Sequence, residues 1–369
     1  GKIEEARGYL ASAVEEAPAT GADVAERVGR ARVLICLLAS EAGDVAAANA
    51  DLERARQSVE ILPEGTAKRE RLAAALHLVE ARSDRGAGDT EEALKHYRTA
   101  FEAMTLLCQA EPNNASIRLW RVQGYTEAAE AAEGAGVADA AIVLRQKAAV
   151  ELMEMLDQDS EDPLIKVELS GALAAQSEAN LEEGNLEEAR ELALRGIKLC
   201  EEVLKGGKQF PKAKVLLGGH KGVVAACLHA KGDANGALAT VNEAIELVNE
   251  ALDEKCEEEL APFRLALLNW QKATMSGFFG RRTDELTYGK QAREQLITIL
   301  KGNCQYPSKR QVRRALAYLS GDLGVAAHGA GRDADAADYF RESVTLWKEL
   351  TSNEAENVEF QEGLHWAQE

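Results

Sequence analysis

The stretch Glu183-Gly184-Asn185-Leu186-Glu187-Glu188 decides the architecture, because it ends one helix and starts another. Upstream of it, Leu164, Val167, Leu169, Leu173 and Leu181 recur among small residues. Downstream, Leu186, Ala189, Leu192, Ala193, Gly196, Ile197, Leu199 and Leu204 fall at a spacing of three to four and make one apolar helix face. Gly184 supplies the left-handed backbone that closes a helix. Asn185 stands where the next helix needs a cap, and Glu188 stands where a capping box needs its acid. The stretch therefore predicts a helical hairpin over 163–205.

The same punctuation recurs along the whole chain. Gly43, Gly88, Gly136, Gly184, Gly232, Gly280 and Gly331 form a ladder whose central steps are about 48 residues. All seven prolines, Pro18, Pro63, Pro112, Pro163, Pro211, Pro262 and Pro307, form a second ladder interleaved with the first. Gly88-Asp89-Thr90-Glu91-Glu92 repeats the turn chemistry, and Gly43-Asp44 and Gly232-Asp233 keep the glycine and its cap. Prolines fit the first turn of a helix or the loop before it, so they separate one hairpin from the next. The expected hairpins are 22–62, 66–110, 113–157, 163–205, 211–252, 258–300 and 308–350, with partial helices at 2–17 and 354–369. Both partial helices stand mid-repeat, which predicts terminal caps or a chain excised from a longer one. One continuous array over 1–369 is the expected domain organisation.

Composition agrees with packed helices. Aromatic residues are only 5% of the chain, and alanine is abundant. A formal charge of −19 opposes nucleic acid and anionic membranes as partners, since both demand a basic surface. Six cysteines without any C-x-x-C pattern read as small buried hydrophobes in a reducing compartment, and a cytoplasmic location is expected. No run is long and apolar enough for membrane insertion, and no secretory leader is visible, although the chain begins at Gly1.

Three registers of small residues identify the repeat. Seven residues before each ladder glycine stand Cys36, Ala81, Ala129, Ser177, Ala225, Ala273 and Gly324. Five after it stand Ala48, Ala93, Ala141, Ala189, Ala237, Glu285 and Ala336; twelve after it stand Ala55, Ala100, Ala148, Gly196, Ala244, Ala292 and Ser343. Small side chains at fixed intervals let helices cross closely. The set resembles the tetratricopeptide repeat, with its small residue in the first helix, its turn glycine and its two alanine-type positions in the second. Segments 87–100 and 330–343 are similar to that family's turn and second helix. The period is longer than the usual 34 residues, and the family's tryptophan position holds Arg32, His77, Tyr125, Leu173, Lys221, Asn269 and Ser320. The resemblance implies an all-α, right-handed α-solenoid of about seven antiparallel hairpins. Similar long-period arrays occur in bacterial multidomain proteins, including regions joined to kinases.

Catalytic signatures are absent: there is no Walker, nucleophile-elbow, zincin or kinase motif. Gly218-Gly219-His220-Lys221-Gly222 is the nearest approach to a phosphate loop, but it falls within an expected first helix and reads as close packing. None of the six histidines stands at metal-ligand spacing from another His or Cys, so neither metal nor cofactor is expected.

In such arrays the first helices line the concave face that binds partners. The resemblance carries that role to Arg30, Leu37, Leu78, Arg82 and Arg85 in the early repeats. In the middle it falls on Thr126, Glu130, Glu133 and Glu178, and in the late repeats on His229, Trp270, Thr274, Phe278, Tyr318, Val325 and His328. The expected hot spot is aromatic: Trp270, Phe278 and Tyr318. The Lys/Asn clamp by which some family members grip a C-terminal carboxylate is missing. The expected function is a non-enzymatic scaffold for a protein or peptide partner. The alternatives are a regulatory arm of a larger bacterial kinase or protease, and a small-ligand or peptide sensor.

Overall fold

The computed structural model describes residues 2–15, 22–41, 45–87, 89–134, 136–159, 161–206, 210–254, 260–302, 309–353 and 357–368. Pro18, Gly43, Gly88, Cys256, Cys304 and Pro307 lie outside them. Among the described residues every regular element is an α-helix, and the architecture is an all-α helical-repeat solenoid. The helices are α1 (Lys2–Glu15), α2 (Ala22–Glu41), α3 (Val45–Ile61), α4 (Ala67–Ala87), α5 (Thr90–Ala110), α6 (Ala115–Gly134), α7 (Ala138–Gln158) and α8 (Pro163–Glu182). They continue as α9 (Leu186–Lys205), α10 (Pro211–Ala230), α11 (Ala234–Asp253), α12 (Leu260–Phe278), α13 (Arg282–Lys301), α14 (Lys309–Gly329), α15 (Asp333–Asn353) and α16 (Val358–Gln368).

Contacts divide the chain into two compact units, Gly1–Ser160 and Glu161–Glu369. In each unit a helix packs on its hairpin partner and on the next hairpin. First helices also touch first helices, α2 with α4 in unit 1, and α8, α10, α12 and α14 in succession in unit 2.

The turns follow from local chemistry. Gly136, Gly184, Gly232, Gly280 and Gly331 have φ between 71° and 81°, a region that penalises any side chain. Asp233 caps α11 by accepting the Gly236 N–H at 2.9 Å, and Asp89 caps α5 through Glu92 at 3.3 Å. Asn185 corrects the expectation. It occupies the N-cap of α9 but makes no capping bond, and its amide donates to Glu183 at 3.0 Å. A charged acceptor next to the turn outcompetes a neutral cap. Pro163 and Pro211 open α8 and α10, and Asp162 accepts the Leu164 N–H at 2.8 Å.

The three small registers are the seams of the stack. Ala81, Ala129, Ser177 and Ala225 are fully buried, as are Ala93, Ala189 and Ala237, and Ala55, Ala100, Ala244 and Ala292. Two exceptions are compensated from across the seam. Glu285 replaces an alanine, and α12 answers with Gly277, where a Cβ would lie 2.2 Å from the Glu285 carboxylate. Gly196 replaces an alanine because His220 needs its space: a Cβ there would lie 2.0 Å from Nε2.

His220 is wholly buried, its Nε2 at 3.0 Å from Ser170 Oγ, which itself lies 3.0 Å from Cys200 Sγ. Burial and the nearby Arg264 charge push the imidazole down to about 4, against a weaker opposing bond from the Ser170 carbonyl. Burial pushes the Cys200 thiol up to about 11, so it stays protonated. The glycine-rich segment around His220 lies inside α10, where a Cβ at Gly218 would meet Val248 at 2.6 Å. Its glycines serve packing.

Candidate functional site

In unit 2, α10, α12 and α14 bring several expected residues together. His229 from α10 meets Phe278 edge-to-face, with ring centroids 4.9 Å apart, and Phe279 at 5.7 Å. His229 and Trp270 line a cavity of about 240 Å³ with Ala226, Leu267, Gln271, Thr274 and Met275. Phe278, at the C-terminal end of α12, is 70% exposed. Trp270 donates its indole N–H to Asp322 of α14 at 2.8 Å, which fixes the ring, and Thr274 bonds back to the Trp270 carbonyl at 3.2 Å. The Nε2 of His229 is buried and has no hydrogen-bond partner. Val325 of α14 is exposed, and His328 pairs with Asp333 at 2.8 Å in open solvent.

Tyr318 does not join this group. Its ring packs edge-to-face on the buried Trp347 of α15 at 4.7 Å, and its hydroxyl donates to Glu359 of α16 at 3.1 Å. Burial first, and then the Glu359 charge, push that phenol up to about 12. Glu178 is bound to Arg264.

In unit 1 the expected residues are mostly engaged with one another. Arg82 grips Glu127 through two bonds, at 2.8 and 2.6 Å, and Arg85 reaches Glu130 at 3.2 Å. Glu133 pairs with Arg145, and Thr126 bonds back to Val122. Leu78 is 2% exposed and belongs to the core between hairpins, not to a face. Leu37 packs partly buried on the core beneath α2.

A second cavity opens elsewhere in unit 1, with a volume of about 530 Å³. Its lining comes from α2 (Arg30, Val33, Leu34), α4 (Arg71, Ala75) and the start of α6 (Asn114, Ser116, Ile117, Trp120). Half of Leu34 is exposed, and Arg71 is shared between Glu26 at 3.5 Å and Glu111 at 3.0 Å. Of the residues carried over from the resemblance, Arg30 alone reaches this cavity. The signal that was available is Trp120, the one tryptophan in the first 269 residues, standing one turn after a proline-marked helix start.

The apo form of RapI superposes on this chain with a TM-score of 0.60 at 10% identity, covering 96% of this chain and 99% of that one. The fold is of the tetratricopeptide-repeat type. The quorum sensor NprR from B. thuringiensis aligns at a TM-score of 0.48, 10% identity, and 87% and 88% coverage. A tetratricopeptide repeat protein from Parabacteroides merdae aligns at 0.44, 15% identity, and 92% and 99% coverage. At the level of sequence, no family model and no curated protein matches.

The hairpin α4–α5 also joins two histidines that spacing alone kept apart. His77 Nδ1 and His96 Nδ1 lie 3.2 Å from each other, and 2.8 and 3.0 Å from Glu80 Oε2. No helix among the described residues is long and apolar enough to cross a membrane.

Proposed function

We propose that this tetratricopeptide-type chain is a non-enzymatic interaction scaffold that binds an extended peptide or a partner helix. The anchor point is the His229–Trp270–Phe278 group of unit 2. The observation that carries this reading is the 70% exposed Phe278 beside an apolar cavity. A large exposed ring, edge-stacked on His229 and Phe279, supplies contact area without much entropy left to lose, the property that makes aromatic residues hot spots. The cavity, about 240 Å³, falls below the roughly 300–1,000 Å³ of small-molecule sites, which suits one anchoring side chain.

Selection of peptides from a displayed library on the intact chain tests this. Binders are expected to carry a large apolar anchor and to lose affinity about 30-fold in Trp270→Ala or Phe278→Ala, the factor for a 2 kcal/mol hot spot. Selected peptides whose affinity ignores both substitutions would sink the reading.

Unit 1 favours a second reading. Its cavity of about 530 Å³ has an apolar floor at Val33, Leu34, Ile117 and Trp120, with Arg30 at its edge and an Arg71 guanidinium already engaged by Glu26 and Glu111. That chemistry suits a small, largely apolar ligand with one anionic group for Arg30, the reading of the chain as a ligand sensor. Tryptophan fluorescence during titration with medium-chain carboxylates, compared between the unaltered chain, Trp120→Phe and Trp270→Phe, distinguishes the two sites.

A further inference from the structure

The cluster His77, Glu80 and His96 belongs to neither cavity and has no part in the proposed partner binding. We propose that it is a binding site for one divalent transition-metal ion, of which zinc is the representative, fastening α4 to α5. Three donor atoms converge there from two helices. His77 and Glu80 stand three residues apart on α4, so their side chains share a face. His96 projects from α5 across the hairpin. The donor triangle has edges of 2.8, 3.0 and 3.2 Å. An ion 2.0–2.1 Å from each donor would see those edges at angles of about 85–105°, within the range from octahedral to tetrahedral coordination. Two imidazoles and one carboxylate are ligands suited to zinc and its neighbours.

The surroundings complete the arrangement. Arg56 donates to the other oxygen of Glu80 at 2.7 Å, leaving Oε2 turned to the histidines. Asp84 lies 3.5 Å from Nε2 of His96, the ring nitrogen away from the triangle. A carboxylate in that position holds the tautomer whose Nδ1 lone pair faces the ion. Glu80 is 3% exposed while both histidine side chains are about a quarter exposed, so an ion would have a solvent side from which to enter and keep a water. Without an ion, the two Nδ1 atoms and the carboxylate are held together by protons alone.

Titration of the intact chain with Zn²⁺, followed by calorimetry and thermal melting, tests the site. One ion per chain should bind, release protons, raise the melting temperature and come off with chelator. Co²⁺ should give a visible d–d band with no thiolate charge-transfer band, which separates this cluster from the cysteines. His77→Gln and His96→Gln should abolish binding, and Asp84→Asn should weaken it about 10–100-fold, the range for outer ligands. Absence of saturable Zn²⁺ binding by the unaltered chain overturns the proposal without recourse to a variant. So does a thiolate band, or binding that survives both histidine substitutions in variants shown by circular dichroism to be helical.

Discussion

The two units stack helices by the same rule and differ in which polar groups they bury. Unit 1 buries the acids of its central ion pairs: Glu80, held by Arg56, is 3% exposed and Glu151, held by Arg118 and Arg121, is 5% exposed. Unit 2 also pairs charges between helices, as in Lys166–Glu202, Arg264–Glu178 and Arg293–Glu342, but those acids are a quarter or more exposed, and a neutral imidazole, His220, is wholly enclosed instead. The contrast teaches that the small registers set only how close helices come. What fills the remaining space is free to vary, and it decides whether a unit answers to lost charge, to acid or to an added methyl group.

The sharpest way to break this contrast lies in unit 1. Glu151 is 5% exposed and accepts bonds from Arg118 at 3.1 Å and from Arg121 at 2.7 and 2.8 Å. Glu151→Leu strands the Arg121 guanidinium, leaves the buried Arg118 to Glu154 and Gln158, and should cost about 3–5 kcal/mol in urea unfolding. Replacing Arg118 and Arg121 with Met in the same variant should recover most of that loss, because an apolar cluster has no ions to desolvate. If the single substitution is neutral, unit 1 is not charge-dependent.

Acid should strike unit 2 next. The imidazole of His220 has a folded pKa of about 4 against an ordinary value of 6.5. The unfolded chain therefore binds this proton more readily. Its contribution to stability is fully present above pH 6.5, declines as pH falls and levels off below pH 4. The loss is about 3 kcal/mol across that window. Amide exchange in α8–α10 should accelerate over this range in the unaltered chain and change less in His220→Gln. Equal pH dependence in the two proteins would remove His220 from the account.

Gly196→Ala gives a smaller effect with a diagnostic sign. In an ordinary helix this substitution stabilises by about 1 kcal/mol. Here the new methyl group meets the enclosed His220 ring, so a loss of about 1–3 kcal/mol is expected from overpacking. The corresponding register position in unit 1, Ala148, already carries that methyl group. A stabilised Gly196→Ala would show that the seam yields more readily than its neighbours suggest.

Much of this architecture was legible before any coordinates. The glycines at the turns, the prolines at the helix starts and the three small registers are local requirements, set by backbone sterics and helix crossing distance. The candidate sites were less legible. Trp270, Phe278 and His229 were named as face residues and share one patch, yet Tyr318, grouped with them, packs on Trp347 because α15 and α16 offer it a buried ring and a carboxylate. Leu78 was carried to a face and lies in the core. The unit 1 cavity is marked by no single stretch of sequence, because its lining comes from the middle of α2, the first half of α4 and the start of α6, in three hairpins.

By itself, then, the sequence determined the helical hairpins, their period and the close crossings between them, since each depends on residues near in the chain or at one repeating interval. Only the tertiary structure decided that His77 and His96 share a carboxylate, that Gly196 exists for His220, and that unit 1 buries the carboxylates of Glu80 and Glu151. Those facts depend on how side chains from different helices divide a common space, and no spacing along one chain specifies that division.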